Sequence, residues 1–431
     1  MNFLKKQSPV RIISLGFALV ILIGSVLLSL PCSIRDGVTL RYIDALYMST
    51  SAVCVTGLLT VDAGDTFTPL GQFFLGMLIQ VGGLGVTAVG TGVILAMGKK
   101  INLKARNLIR EAGNLDSGKG VIRFIRLVFL TTVTFELAGA ALSFLVFRKN
   151  FPPLKAAGVS LFHSVASFNN SGFDILGGGQ NLIPYQDDVL LNVVTCALVI
   201  FGGIGFLVIR EVIAKRFRWK KLSMHAKVVL FMSLVLTAAG TVLLKLTEDI
   251  TWMGAFFTSV SARTAGFSTF PLGSFSGAGL LTVIVLMVIG ASPGSTGGGI
   301  KTTTCYVLFE GIRSSATNTS EKAFRYAVPA DAFRKAAVIT LLAIGIVLSG
   351  TYILVILEPG VPFLDALFEM SSAFGTAGLS TGISTGLCDA AKLLTILIMF
   401  IGRLGPLTIA SLWYFTKGER VSYPEGNIAI G

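Results

Sequence analysis

Four apolar stretches of this chain, residues 43–53, 160–168, 252–262 and 363–374, are too short to cross a bilayer, and just beyond each stands a glycine: Gly57, Gly172, Gly266 and Gly378. A crossing helix needs about 20 apolar residues, so stretches of half that length enter the membrane and turn back. The backbone at such a turn carries polar groups that lipid does not satisfy. It is tolerated at membrane depth only when it is buried in protein or lines a watery cavity. Four such loops around one axis imply a hole.

Aligned on the glycines, the loops read Val55-Thr56-Gly57, Asn170-Ser171-Gly172, Thr264-Ala265-Gly266 and Thr376-Ala377-Gly378. Ala or Ser stands five residues before every glycine, and Leu or Phe follows every one. One such glycine would read as turn punctuation; four aligned copies read as a single unit written four times. Glycine accepts the backbone angles that aim successive carbonyls inward, and rings of carbonyls replace the hydration shell of a monovalent cation.

Longer apolar runs flank the loops. Residues 11–30, 122–147, 228–246 and 336–357 read as first helices, and 70–97, 189–213, 279–312 and 392–416 as second helices. The units are drawn at 1–100, 101–218, 219–318 and 319–431. Hydrophobic residues make up 53% of the chain, charged ones 13%, and mean hydropathy is +0.79, which excludes a water-soluble fold. No small-residue cleavage site follows the first run, which is read as a retained span. The expected fold is an all-α polytopic membrane protein, four pseudo-repeated helix–pore-loop–helix units around one central pore.

The net charge of +13 is placed like a topology signal, not a nucleic-acid surface. Twenty-five of the 35 basic residues lie in segments that link units or end the chain, among them Lys99 to Arg126 and Arg210 to Lys227. Acidic residues such as Asp62, Asp65, Asp174, Glu248 and Glu358 fall within units. The positive-inside tendency then puts both termini and the inter-unit segments in the cytoplasm and the four loops outside. Lipid anchoring and the docking of a cytosolic partner both fit these basic segments.

The second helices carry their own repeat. Gly82-Gly83-Leu84-Gly85, Gly202-Gly203-Ile204-Gly205 and Gly402-Arg403-Leu404-Gly405 occupy one place in units one, two and four, and Gly290 stands there in unit three. These glycines suit close helix packing and local bending. After Gly290 the third unit departs: Ala291-Ser292-Pro293-Gly294-Ser295-Thr296-Gly297-Gly298-Gly299-Ile300-Lys301-Thr302 is too rich in Gly, Ser and Pro to stay helical. A break midway along an apolar span persists only where protein or cavity water solvates it. The run is therefore a candidate gate below the filter. It is not a Walker A loop, because Ile300 intervenes before Lys301.

Charges within spans are costly unless they face a cavity or a partner. Arg403 is expected to face the pore near the break, bonding loop carbonyls or raising the barrier to cations, with a structural tie to a carboxylate as the alternative. Glu136, in the first helix of unit two, is expected to be a buried structural partner rather than an ion ligand. Arg263, three residues before Gly266, is expected to brace its loop from behind, since a cation facing the filter would repel the permeant ion. Five scattered cysteines, two histidines and no HExxH motif leave little material for a metal-dependent or acid–base enzyme. A rocking carrier would show duplication of larger blocks, and a purely structural membrane protein would not need four re-entrant loops.

Four single filter glycines, a glycine-rich interruption in the third unit and an arginine in the fourth together resemble the Trk/Ktr/HKT superfamily of potassium transporters. The likeness covers nearly the whole chain. Lacking an extra helix pair before the first unit, the chain is most similar to the Ktr-type membrane subunit. The resemblance implies that the twelve loop residues above form a potassium filter. It makes Gly290 to Thr302 the intramembrane gating loop and Arg403 its counterpart across the pore. A serine at the first filter glycine accompanies sodium permeation in the superfamily, so Gly57 favours potassium. The resemblance also implies a homodimer in the bacterial plasma membrane, one pore per protomer, on a cytosolic ring of nucleotide-binding regulatory subunits. The chain itself offers no nucleotide site and no cofactor. Sodium as an activator, and proton or sodium coupling of the Trk kind, have no residue set here that decides them.

Overall fold

The computed structural model describes residues 9–97, 120–329 and 331–411. The basic residues Lys5, Lys6, Lys99 to Lys119, Lys417 and Arg420 lie outside the described residues, as do both termini whose side of the membrane was inferred from them.

The helices run α1 (Pro9–Ser29), α2 (Tyr42–Cys54), α3 (Pro69–Leu84), α4 (Val86–Ala96), α5 (Val121–Phe147), α6 (Pro153–Phe168), α7 (Val189–Ile204) and α8 (Phe206–Ala214). They continue as α9 (Met224–Thr247), α10 (Trp252–Ala262), α11 (Gly277–Val288), α12 (Thr302–Thr317), α13 (Ala332–Leu357), α14 (Phe363–Gly375), α15 (Asp389–Leu404) and α16 (Pro406–Ser411). Between α12 and α13 a two-stranded antiparallel hairpin pairs Lys322 with Ala327 and Ala323 with Tyr326.

Burial inverts along each unit. The long helices α1, α5, α9 and α13 are the four single helices, among the described residues, long and apolar enough to cross a membrane. They turn Leu19, Leu130, Leu234 and Leu341 outward. The half-length helices are instead buried over most of their surface: Tyr47, Phe168, Phe257, Phe368 and Phe374 are almost wholly enclosed. In three units a serine of the short helix donates to a carbonyl of the long one, Ser49 to Ile21 at 2.7 Å, Ser164 to Glu136 at 2.6 Å and Ser259 to Thr237 at 2.9 Å. The second helices start at side-chain caps in three units, where Thr68, Asp188 and Ser276 accept from Gly71, Leu191 and Gly279.

The second helices correct one expectation. The stretches 70–97 and 189–213, and 392–416 over its described residues to 411, do not form continuous spans. The first two bend by 101° and 98°, and the third breaks at the same place. The break in each case is the third glycine of the repeat: Gly85, Gly205 and Gly405 have φ of 86°, 98° and 89° with ψ near 130–140°, backbone angles open almost solely to glycine. In the third unit the helix stops at Val288 and resumes at Thr302, with residues 289–301 irregular between them.

Candidate functional site

Each half-length helix delivers its C-terminal end to one of the four glycines and unwinds there in the same way. The residue two before the glycine and the glycine itself both have positive φ: Val55 and Gly57 (56°, 98°), Asn170 and Gly172 (60°, 68°), Thr264 and Gly266 (77°, 80°), Thr376 and Gly378 (49°, 81°). Thr56, Ser171 and Ala377 each donate their N–H to the carbonyl five residues back, and Gly266 does the same. Alternating left-handed with right-handed or extended residues turns successive carbonyls toward one side, unlike a strand, where they alternate.

The four glycines meet in a closed ring. A Cβ added at Gly57 would stand 3.3 Å from the Gly172 Cα; one at Gly172, 2.7 Å from the Gly266 Cα; one at Gly266, 3.1 Å from the Gly378 Cα; one at Gly378, 2.9 Å from the Gly57 Cα. The same hypothetical atoms press on the carbonyl oxygens of Ser171, Ala265, Ala377 and Thr56 in turn. A side chain at any of the four would have to displace the neighbouring loop's backbone.

Beneath the ring, residues 289–301 contact the second, third and fourth units and are linked to the first through Arg403. The Gly298 N–H donates to Thr376 Oγ1 at 2.9 Å, and Gly297 packs against the Thr264 side chain. Ser292 N–H donates to Gly203 O at 3.1 Å, Thr296 Oγ1 to Gly202 O at 3.2 Å, and Phe206 N–H to Gly294 O at 3.1 Å. Within the loop, Ser295 Oγ donates to Ser292 O at 2.6 Å and Lys301 Nζ to Gly297 O at 2.7 Å. Pro293 lays its carbonyl beside Gly205, and Gly299 turns with a φ of 70°. Arg403 donates from Nη1 to Thr296 O and from Nη2 to Gly82 O at 2.5 Å. Both of these partners are carbonyls, not a carboxylate.

Gly290 is not the counterpart of Gly82, Gly202 and Gly402. Those three let their helices press on the carbonyls of Val53, Phe168 and Phe374 at the ends of the half-length helices, whereas Gly290 packs against Gly298 within its own loop. Arg263 turns away from the ring and donates to Ser233 O at 3.2 Å and Ser233 Oγ at 3.3 Å on α9. Glu136 is buried and accepts from Asn169 Nδ2 at 3.0 Å and Gln80 Nε2 at 3.4 Å.

Three features went unread in the sequence. Glu369, wholly buried in α14, accepts from Ser380 Oγ at 2.8 Å and from Ser384 Oγ. Asp44 of α2 and Lys392 of α15 form a buried ion pair at 2.6 Å. Asn181 bonds a ring-glycine carbonyl. A carboxylate midway along a short apolar stretch and a lysine in an apolar span were visible signals for the first two.

These elements define a polytopic helical membrane protein in which four half-length helices converge on a glycine ring. The family model for TrkH, cation transport protein, matches residues 10–416, and the chain belongs to that family. It is a transporter, not an enzyme. The Ktr system potassium uptake protein B of Bacillus subtilis is 36% identical, covering 98% of this chain and 97% of that protein. The potassium/sodium uptake protein NtpJ of Enterococcus hirae is 35% identical, covering 99% and 98%. The crystal structure of the potassium transporter TrkH from Vibrio parahaemolyticus shares the fold, with a TM-score of 0.75 at 19% identity over 95% of this chain and 86% of that one.

Proposed function

We propose that this chain takes potassium ions into the cell through a pore of its own, selected at the glycine ring and gated by residues 289–301. The closed ring carries the reading. Four backbone segments with repeated left-handed turns, packed glycine against backbone, leave carbonyl oxygens as the ligands for a dehydrated monovalent cation. The four half-length helices add the negative ends of their dipoles. The loop beneath the ring, bonded to the second and fourth units and pinned by Arg403, which also bonds the first, suits a gate in its closed position. Inward movement of each ion is driven by membrane voltage, at about 2.3 kcal/mol per charge per 100 mV.

The four units at 1–100, 101–218, 219–318 and 319–431 supply one loop each. The protein sits in the bacterial plasma membrane with both termini cytoplasmic, as a homodimer on a cytosolic nucleotide-binding ring. Exposed Phe217 and Trp219 among Lys215, Arg216, Arg218, Lys220 and Lys221 suit such docking. Uptake of rubidium and sodium by cells lacking their own potassium transporters tests the proposal. The parent chain is expected to restore rubidium uptake and growth on low potassium, and Gly57→Ser to admit sodium. Sodium uptake by the parent equal to that of Gly57→Ser would instead support a sodium-permeable transporter, a second ion that the name of the E. hirae relative carries.

A further inference from the structure

We infer that Asn181 is a positioning residue for the filter, fixing the Gly172 carbonyl at the seam between the second and third loops, with Asp174 orienting it. The inference rests on the filter reading proposed above. Asn181 lies nine residues beyond Gly172, at a φ of 51°, a left-handed conformation that asparagine tolerates better than most side-chain-bearing residues. Its amide is used on both sides. Nδ2 donates to Gly172 O at 3.2 Å and to Asp174 Oδ2 at 3.1 Å. Oδ1 accepts from Leu182 N–H at 2.9 Å and from Ser268 N–H at 3.1 Å.

Two acceptors face the nitrogen and two donors face the oxygen, so the amide has one satisfactory orientation. Ser268 follows Gly266 by two residues, and its carbonyl accepts from Leu182 N–H at 3.1 Å. One side chain thus ties the outer limb of loop two to that of loop three. Among the described residues, Gly172 is the one ring glycine whose carbonyl receives a side-chain donor. A carbonyl has two lone pairs; the amide takes one and leaves the other for an ion. Asp174 is buried, and its second oxygen accepts from Leu176 N–H at 3.0 Å. Asp62 and Asp65 stand nearby, with their own carboxylates taken up by Gly179 N–H at 2.7 Å and Gly178 N–H at 2.8 Å. Asp174 is therefore left to orient the amide.

The chemistry separates the variants. Asn181→Asp keeps the oxygen that accepts from Ser268 but sets a carboxylate oxygen, not a donor, against Gly172 O and Asp174. Asn181→Gly keeps only the backbone conformation. Asp174→Asn keeps an acceptor for the amide, and Asp174→Ala removes it. The potassium-to-sodium permeability ratio of each, with purified full-length protein in liposomes, is read from reversal potentials in opposed gradients. Asn181→Asp, Asn181→Gly and Asp174→Ala are expected to lower the ratio about fivefold, the scale of one hydrogen bond lost from one of two competing states. Asp174→Asn is expected to keep the parent ratio. A merely structural role would lower the amount of inserted protein and leave the ratio unmoved.

Gly57→Ser, measured alongside, keeps the two readings apart. A changed ratio there with parent ratios in Asn181→Asp, Asn181→Gly and Asp174→Ala overturns the Asn181 inference alone. Parent ratios in all four remove the filter reading and this inference with it. If Asn181→Asp does not reach the membrane, Asn181→Gly and Asp174→Ala decide between the same outcomes.

Discussion

At the scale of one residue, Arg403 shows how a charge inside a membrane protein is kept. It stands where units one and two have Gly83 and Gly203, and there its guanidinium reaches the loop carbonyl of Thr296 and the Gly82 carbonyl of the first unit together. Arginine's planar fork holds two donors in a set relation, which an ammonium on a flexible stem does not. Each charge-assisted bond contributes about 1.5–3 kcal/mol, all of it to the state in which the loop lies under the ring. On the filter reading proposed above, its positive charge also opposes a cation arriving from the ring. Both effects push the same way. Arg403→Gln is therefore expected to raise rubidium uptake without a regulatory partner by about tenfold or more, since every 1.4 kcal/mol is tenfold in an equilibrium, and Arg403→Lys to fall between. A parent-like flux in correctly inserted Arg403→Gln protein would show that the contact does not hold the loop.

At the scale of elements, the half-length helices were the most legible part of the chain. The stretches 43–53, 252–262 and 363–374 differ from α2, α10 and α14 by a residue or so at either end, because apolar side chains and a terminal glycine mark both limits. The stretch 160–168 misses the first seven residues of α6, where Pro153, Leu154 and Lys155 are exposed and break the apolar run. The bends at Gly85, Gly205 and Gly405 were legible only as glycines suited to local bending, not as full breaks. A glycine in an apolar run fits a continuous helix as well as a broken one, and at Gly205 the choice is made by distant chain, with the Pro293 carbonyl beside it and Gly294 bonded to Phe206. Asn181 was hidden for the same reason: its partner Ser268 is far along the chain in another polar segment. The hairpin between α12 and α13 gives an element-scale prediction. Glu310 of α12 accepts from Arg313 and, at 3.1 Å, from the Lys322 N–H at the start of the hairpin. The Arg313 guanidinium holds its carboxyl below the usual glutamate range. A depressed pKa stabilises the folded state above the unfolded value, and the stabilisation is lost as pH falls through the folded one. Protease sensitivity of residues 318–329 is thus expected to rise as pH drops below the ordinary glutamate range. Glu310→Gln should flatten that dependence; an unchanged profile in the variant would assign it elsewhere.

At the scale of the whole molecule, a ring made by one chain has a single seam where its last unit meets its first, and no covalent link crosses it nearby. At that seam Gly378 packs on Gly57, and Lys392, in the first turn of α15, meets Asp44, in the first turn of α2. A helix N-terminus favours the carboxylate of Asp44 and disfavours the ammonium of Lys392, so the lysine depends on its partner. Their side chains are only 4% and 10% exposed. Arg41 extends the contact to Asp44 at 3.2 Å and Asp389 at 2.9 Å, but it is open to solvent and contributes little. Removing one member of a buried pair costs about 3–5 kcal/mol, because the other charge is left without a partner, whereas replacing both by apolar groups is often neutral. Lys392→Leu is accordingly expected to lower the melting temperature of the purified protein by several degrees, and Asp44→Leu/Lys392→Leu to recover most of the loss. The potassium-to-sodium permeability ratio should fall and recover in step, since a loosened seam lets the Gly378–Gly57 contact widen. If Lys392→Leu melts and selects like the parent, the ring is closed by backbone packing alone; if the double variant stays as unstable as the single, the charges themselves, and not their mutual burial, hold the last unit to the first.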